Sequence, residues 1–363
     1  MSSPRRVLFT GYAPVHFLCF QPLFERLRQE ADVEVFVAGG LREKTDDGYL
    51  FHPLAMYRPL GVPAENILTM EQIAEMDFDL MFASNTKMLK PRSVGQCIQV
   101  FHGISFRNRA IRQENLGADR FLIAGPYMER KFVEAGLLER DDPRVVRSGF
   151  LKTDRLINGE LDRKQLLDTY GFDGSRPVLL YAPTGQRHCS LDLVGPDLIE
   201  KLKATGRYDI LIKLHDHPHG ASRDWPAVMG ALQDRHTILS DSFDVVPLLF
   251  LADLLISDAS SVSSEYSLRD RPMVFIDVPK LLEKAARKDG SMMDLATWGR
   301  SCGAVVETAD EAVAAVAEGL AHPERLADQR RKMASDLFYN PGRATDFAMD
   351  WLRSNSFQPA SVA

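Results

Sequence analysis

Residues 253–272, DLLISDASSVSSEYSLRDRP, are rich in side chains that carry hydroxyl and carboxylate groups. An apolar strand runs into a turn there, and backbone N–H groups at such a turn, with the N-terminus of the following helix, can bind phosphate oxygens. A carboxylate one turn into the helix can accept hydrogen bonds from ribose hydroxyls. The pattern predicts a nucleotide-diphosphate site, with ordinary helix capping as the alternative. The candidate donor-binding residues are Ser257, Asp258, Ser260, Ser261 and Glu265.

A second motif, VFHGISFRNRAIR at residues 100–112, combines an imidazole with several arginines. His102 follows an apolar strand, and an imidazole titrates near neutral pH, so His102 is a candidate general base. The adjacent Gly103 lets a ligand approach the backbone closely. Arg107 and Arg109 can hold a phosphate-bearing acceptor or an anionic lipid carrier, and His16, after the first strand, joins them as an acceptor-binding candidate. The alternative is that His102 fills a polar niche and the arginines face solvent.

A third motif, IKLHDHPHG at residues 212–220, supplies a cation and three histidines. Lys213 and His215 are predicted to offset negative charge on a leaving diphosphate or a transferred phosphoryl group. His217 is a further donor-binding candidate. The alternate spacing of the histidines could suggest a metal, but on a strand it would point them to two faces, and Pro218 favours a loop. No metal is therefore predicted.

A fourth motif, YAPTGQRH at residues 181–188, follows another apolar strand. Thr184 and Arg187 are predicted to donate to the donor's phosphates or to line its pocket, with a purely structural turn as the alternative. His188 beside Cys189 could suggest a nucleophile, but nothing in the sequence orients the pair as a triad.

Short apolar runs alternate with helical patterns along the chain, which predicts parallel sheets covered by helices on both faces. Right-handed crossovers make each half Rossmann-like, and such sheets bind ligands at the carboxyl ends of their strands. All four motifs follow predicted strands, so we expect a cleft between two facing domains. The predicted strands are 7–9, 33–37, 80–83, 98–101, 121–123, 145–146, 178–181, 210–214, 237–239, 254–257, 273–276 and 304–306.

The pattern divides the chain into two α/β domains and a C-terminal element. Residues 1–155 form the predicted acceptor domain and residues 156–340 the predicted nucleotide-donor domain. Asn340 is a predicted N-cap for a helix over 341–355, with an apolar stripe at helical spacing, that packs back across the domain junction. Residues 356–363 are expected to be a disordered tail.

Composition excludes several classes of protein. The 363 residues are 45% hydrophobic and carry a formal net charge of −6, so no basic field for nucleic acid is present. Four scattered cysteines favour a reducing compartment and indicate neither a disulfide framework nor a zinc knuckle. Because no segment reads as a secretory signal or a membrane span, we expect a cytoplasmic protein with at most peripheral membrane contact.

Taken in order, these motifs resemble the CDP-glycerol glycerophosphotransferase family, which includes teichoic-acid primases and polymerases. The resemblance implies a GT-B fold, a CDP-alditol donor held mainly by the second domain, and transfer of an alditol phosphate to the hydroxyl of a glycan or lipid-linked acceptor. CMP would be released, and no cofactor beyond the donor is implied. The matching segments are FHG at 101–103, GFLKTDRL at 149–156, LLYAPT at 179–184, IKLH at 212–215 and the long segment 253–275.

The resemblance also implies roles for individual residues. His102 would be the base, His215 would lie near the donor's phosphates, and Ser260 and Ser261 would be phosphate ligands. Glu265 stands where the family usually has aspartate. The family commonly places proline directly after the second histidine, whereas residues 216–217 intervene here, so His217 can take the role given to His215.

Two other readings share these sequence features. One is a nucleotide-sugar enzyme of the same architecture, either a glycosyltransferase or an enzyme like the UDP-N-acetylglucosamine 2-epimerases. The other is a nucleotide-binding or scaffold protein that has kept the fold and lost turnover. Fold alone does not separate them, because function depends on the site.

Overall fold

The computed structural model describes residues 3–46, 48–84, 89–104, 107–215, 223–289, 293–295, 297–298 and 300–357. The chain forms two compact units. The first unit comprises Met1–Gly103, Ala110–Asp154 and Phe338–Ala363, and the second comprises Ile104–Arg109 and Arg155–Leu337.

The strands are short and mostly buried. Those in the first unit are β1 (Arg5–Gly11), β2 (Val33–Gly39), β3 (Leu41–Thr45), β4 (Gly48–His52), β5 (Asp77–Ala83), β6 (Ser93–Val100), β7 (Arg120–Leu122) and β8 (Val145–Val146). Those in the second unit are β9 (Val178–Tyr181), β10 (Asp209–Ile212), β11 (Thr237–Leu239), β12 (Leu254–Ser257), β13 (Met273–Ile276) and β14 (Ala304–Val306).

Helices connect the strands in both units. They are α1 (Pro14–Leu18), α2 (Gln21–Leu27), α3 (Pro53–Tyr57), α4 (Met70–Ala74), α5 (Pro126–Glu134), α6 (Arg163–Tyr170), α7 (Ser190–Leu193), α8 (Gly195–Ala204), α9 (Trp225–Gly230), α10 (Val246–Leu251), α11 (Val262–Tyr266), α12 (Pro279–Asp289), α13 (Ala309–Ala321), α14 (Ala327–Leu337) and α15 (Ala344–Asn355). Among the described residues, no helix is both long enough and apolar enough to cross a bilayer.

The first unit is built on a parallel sheet in the order β2-β1-β5-β6-β7-β8. Val7, Leu8 and Phe9 in β1 are wholly buried, as expected for a central strand covered on both faces. The order reverses between β1 and β5, and the carboxyl ends of these two strands are where such a sheet is expected to bind ligands. The predicted strands of this unit are confirmed, but the antiparallel hairpin β3–β4 was not predicted.

The second unit has a parallel sheet in the order β11-β10-β9-β12-β13-β14, the doubly wound arrangement with its switch point between β9 and β12. All four residues of β9 and of β12 are buried. Apolar side chains of α8 and α13 join these strands in one core cluster. The predicted α/β fold with two parallel sheets is confirmed. The strand predicted over 210–214 ends at Ile212, so the residues that follow belong to a loop.

The C-terminal helix α15 begins at Ala344, later than predicted. Asn340, the predicted N-cap, has a left-handed backbone with φ of 45°. Its side-chain amide donates to the carbonyl oxygens of Arg147 and Ser148, at 2.9 and 3.1 Å. The predicted N-cap is therefore wrong, because the Asn340 amide binds the segment that follows β8 and does not cap the helix.

Asp154 caps α15 from a distant part of the sequence. Its Oδ1 accepts the backbone N–H of Ala344 at 3.0 Å, and its Oδ2 accepts that of Thr345 at 2.7 Å. Burial raises the pKa of the Asp154 carboxyl above its usual range, against the opposing effect of these N–H donors. Asp154, the last residue of the segment Ala110–Asp154, thus fixes the start of α15.

We expect Asp154→Ala to lower the free energy of unfolding by about 1–2 kcal/mol, because two helix N–H groups lose their acceptor. Urea unfolding followed by circular dichroism measures the change. Asp346→Ala is the matched control: Asp346 lies in the same helix and pairs with Arg26 at the surface, where an ion pair contributes little. Equal stability of the two variants would contradict the capping role.

Candidate active site

In each unit, polar residues gather where neighbouring parallel strands end, and we call such a group a polar strand edge. The first polar strand edge, in the first unit, is formed by the residues that follow β1, β5 and β6. His16 lies in α1, directly after β1, while Ser84 follows β5 and His102 follows β6. Because these strands are parallel neighbours, their carboxyl ends bring the three residues to one edge of the sheet. His16 and His102 have ring centroids 4.9 Å apart.

The His102 ring is oriented by a backbone carbonyl. Its Nδ1 lies 2.8 Å from the carbonyl oxygen of Ser84. A carbonyl oxygen only accepts hydrogen bonds, so Nδ1 carries the hydrogen, and in the neutral ring Nε2 keeps its lone pair. The side chain is exposed at the end of its strand. This is the arrangement that a general base requires.

His16 is held at this edge by contacts with neighbouring residues. It is buried, with 4% exposure, and its Nδ1 accepts the backbone N–H of Tyr12 at 3.2 Å. The Ser84 hydroxyl donates to the His16 carbonyl oxygen at 3.2 Å. A Cβ placed on Gly11 would come within 2.7 Å of the His16 Cβ, so glycine is needed for this packing. Acceptor binding by His16 stays a prediction.

The segment after His102 differs in exposure from residue to residue. Gly103 is half-buried, Arg107 is buried with 6% exposure, and Arg109 is exposed. Of the two predicted acceptor-binding arginines, only Arg109 therefore presents its side chain to solvent. The assignment of these residues to the acceptor stays a prediction.

The second polar strand edge, in the second unit, surrounds a cavity of about 320 Å³. Loops after β9, β10 and β11 form most of its wall, and α7 and α9 complete it. Thr184, Lys213 and His215, all predicted from the sequence, line this cavity together. Within the described ranges, Arg187 is exposed and is not part of the lining, and His217 lies outside those ranges.

Residues suited to binding anions line this cavity. Lys213 is buried, with 8% exposure, and its Nζ donates to the carbonyl oxygen of Leu214 at 2.8 Å. His215 is exposed. Thr184 is 7% exposed, and its Oγ1 has no hydrogen-bond partner in the part of the chain that the structure describes. A buried hydroxyl without a partner is costly unless a ligand or water satisfies it.

Asp258 holds the loop after β9 in place. It is wholly buried, and its Oδ1 accepts the backbone N–H groups of Thr184 and Ala259, at 2.9 and 2.5 Å. Its Oδ2 accepts both the backbone N–H and the hydroxyl of Ser190, each at 2.9 Å. Tyr181 in turn lies 2.8 Å from the Ser190 hydroxyl. The carboxylate predicted to contact the donor therefore has internal partners on both oxygens, and its geometry is that of a positioning residue.

The remaining residues of the predicted phosphate turn divide into buried and accessible ones. Ser257 is wholly buried and donates to the carbonyl oxygen of Ala182 at 2.7 Å. Glu265 is also buried, with 1% exposure, so its role as a ribose ligand stays a prediction. Ser260 and Ser261 are half-buried and accessible. The following helix α11 has only five residues, so the hydroxyls and N–H groups of the turn matter more here than a helix dipole.

Sequence reasoning missed part of the cavity wall. Trp225, Leu239 and Asp241 line it, yet only the position of Asp241 after a predicted strand could have indicated this. Cys189 also lines the cavity, and burial, reinforced by the nearby Asp258, raises the pKa of its thiol to about 12. A thiol with this pKa is not a nucleophile at neutral pH, which agrees with the absence of a predicted triad.

Two units, each with a parallel sheet and a polar strand edge, define the GT-B class of α/β proteins. A family model described as CDP-Glycerol:Poly(glycerophosphate) glycerophosphotransferase matches residues 78–347, and the chain belongs to this family. The family predicted from the sequence motifs is thereby confirmed.

Curated relatives include two wall-polymer enzymes of Bacillus spizizenii. The teichoic acid glycerol-phosphate primase is 29% identical over 211 residues, covering 52% of this chain and 52% of the relative. The teichoic acid ribitol-phosphate primase is 29% identical over 163 residues, covering 43% of this chain and 40% of the relative. The chain spans about half the length, or less, of these curated relatives.

Solved structures confirm the fold. The wall teichoic acid polymerase TagF, in its H548A variant, gives a TM-score of 0.68 at 14% identity, covering 98% of this chain and 90% of that one. The UDP-GlcNAc 2-epimerase from Neisseria meningitidis gives 0.55 at 12% identity, covering 96% and 100%. At these identities the likeness concerns the fold alone. The two solved structures belong to the two enzyme classes that the sequence left open.

Proposed function

We propose that the protein transfers an alditol phosphate from a CDP-alditol to the hydroxyl of an acceptor and releases CMP. Family membership supports the CDP-alditol donor. The observation that carries the proposal is the orientation of His102, whose Nδ1–H donates to Ser84 and whose exposed ring keeps Nε2 as the basic atom.

The reaction is an in-line displacement at the β-phosphorus. Nε2 of His102 takes the proton of the acceptor hydroxyl as its oxygen forms a bond to this phosphorus. The bond between the β-phosphorus and the bridging oxygen breaks, and CMP leaves with that oxygen. The proton then passes from His102 to solvent, which restores the neutral base.

The second polar strand edge holds the donor in this proposal. Lys213 and His215, which line the cavity, offset the charge on the diphosphate, and the Thr184 hydroxyl donates to its oxygens. The half-buried Ser260 and Ser261, in the turn after β12 and outside the cavity lining, donate to the same diphosphate. Binding both substrates in fixed orientation supplies much of the acceleration of a phosphoryl transfer, where positioning and charge stabilisation dominate.

The acceptor is a hydroxyl of a growing or newly started cell-surface polymer, in the manner that the names of the two primase relatives describe for those proteins. Such acceptors carry phosphate or lipid-linked glycan groups, for which the exposed Arg109 provides a cation. We infer that the protein works at the cytoplasmic face of the cell membrane, where CDP-activated donors and lipid-linked acceptors meet.

The proposal is tested by incubating the protein with CDP-glycerol or CDP-ribitol and a lipid-linked or glycan acceptor, and by following CMP by chromatography. We expect CMP to form only when donor and acceptor are both present. The same assay with UDP-N-acetylglucosamine, followed by NMR, tests the second enzyme class that the fold allows. Epimerisation of this sugar without CMP formation from any CDP-alditol would overturn the proposal.

A further inference from the structure

The cavity of the second unit lies on the β11 side of the predicted phosphate turn, since residues after β9, β10 and β11 line it and none of residues 257–265 does. The strand order β11-β10-β9-β12 places the loop after β11 three strands from the turn after β12. Neighbouring strands are about 4.8 Å apart, so the two loops are separated by roughly 14 Å. An extended nucleoside diphosphate with its phosphates at the β12 turn can span this distance, and the position of the cavity places its base toward the loop after β11.

The walls of this cavity suit a nucleoside. Its volume of about 320 Å³ lies at the small end of the range for ligand pockets, which fits a base and ribose better than a whole activated alditol. Leu191, Trp225 and Leu239 provide apolar and aromatic surface of the kind on which bases pack. The buried Thr184 hydroxyl, without a partner among the described residues, follows β9, the strand next to β12, so it lies at the end of the cavity where the diphosphate would meet it.

Two carboxylates line the same cavity, and they differ in their present contacts. Asp192 Oδ2 accepts the backbone N–H of His188 at 2.5 Å and so stabilises the loop in which it lies. Asp241 is exposed at the cavity wall, just after β11, and within the described ranges its carboxylate makes no hydrogen bond. Asp241 is thus the carboxylate available to a ligand at the far end of the cavity.

We propose that Asp241 selects a cytosine base by accepting a hydrogen bond from its exocyclic 4-amino group; this inference rests on the proposed function. A carboxylate is purely an acceptor, and cytosine presents an amino donor at the position where uracil presents a carbonyl oxygen. Uracil would place its carbonyl oxygen against the carboxylate, with no hydrogen between them. Asp241 therefore discriminates CDP-activated from UDP-activated donors.

The test compares CDP and UDP binding to the wild type and to Asp241→Asn by isothermal titration calorimetry. We expect the wild type to prefer CDP, and the variant to reduce that preference by about tenfold to a hundredfold, the range that one base-specific contact provides. An asparagine amide can also donate to the uracil carbonyl, so UDP should bind the variant more tightly than the wild type. Asp241→Ala should lose the preference for CDP without this gain.

Asp168→Asn is the matched control, because Asp168 is an exposed carboxylate in α6 outside the cavity lining. This variant should prefer CDP over UDP to the same extent as the wild type. If both Asp241 variants kept the full preference for CDP over UDP, the inference would be overturned. It would also be overturned if Asp192→Asn lost this preference and the Asp241 variants did not. A wild type that binds CDP and UDP equally would also overturn it. A wild type that binds neither nucleotide would instead count against the proposed function itself.

Discussion

Replacement of His102 by alanine is expected to lower the rate of CMP release from CDP-glycerol and acceptor by about 10²- to 10⁴-fold, the usual contribution of a general base. The affinity for CDP should change little, because the donor-binding residues belong to the other unit. Single-turnover kinetics measure the chemical step, and calorimetry measures the affinity for CDP. The variant removes the only group in this proposal that takes the acceptor's proton.

His52→Ala is the matched control for this experiment. His52 is a partly exposed histidine of the first unit that pairs with Glu43 in the hairpin β3–β4, whereas His102 follows β6 of the parallel sheet. Its replacement should leave CMP release unchanged. Full activity of His102→Ala would remove His102 as the base, and an equal loss of CDP affinity and rate would make it a donor-binding residue.

The architecture was predictable because continuous apolar runs determine parallel strands. Most predicted strands match the observed ones within two residues, and the polar residues that follow them lie at strand ends because parallel strands end on one edge. The hairpin β3–β4 was missed for the opposite reason. Tyr49 and Leu50 are half-exposed there, so its residues lack the buried runs on which the prediction relied.

The side-chain geometry of the site was not predictable, since it depends on contacts between distant residues. The basic atom of His102 is fixed by a carbonyl 18 residues earlier in the sequence. Asp154 was visible only as part of a motif, although it caps a helix 190 residues later. Asparagine is a residue type favoured at N-caps, but the side-chain amide of Asn340 donates to the carbonyl oxygens of Arg147 and Ser148 and does not cap the helix.

The same dependence on distant partners separates the positioning role of Asp258 from direct donor binding. Asp258→Ala leaves the N–H groups of Thr184 and Ser190 without their acceptor in a buried place. We expect the free energy of unfolding to fall by about 3 kcal/mol, since each unsatisfied buried donor costs about 1–3 kcal/mol. CDP affinity should also fall by more than about tenfold, because the loop that carries Thr184 loses its anchor.

These two effects occur together only if Asp258 acts through the loop. A residue that merely contacted the donor would reduce CDP affinity and leave urea unfolding unchanged. Ser190→Ala removes one of the contacts to the Asp258 carboxylate and should give smaller losses of both quantities, in the same proportion. Asp168→Asn, at the exposed surface of α6, controls for the loss of one negative charge and should change stability by less than about 0.5 kcal/mol. If Asp258→Ala lost affinity for CDP while its free energy of unfolding stayed unchanged, Asp258 would be a direct donor ligand and not a positioning residue.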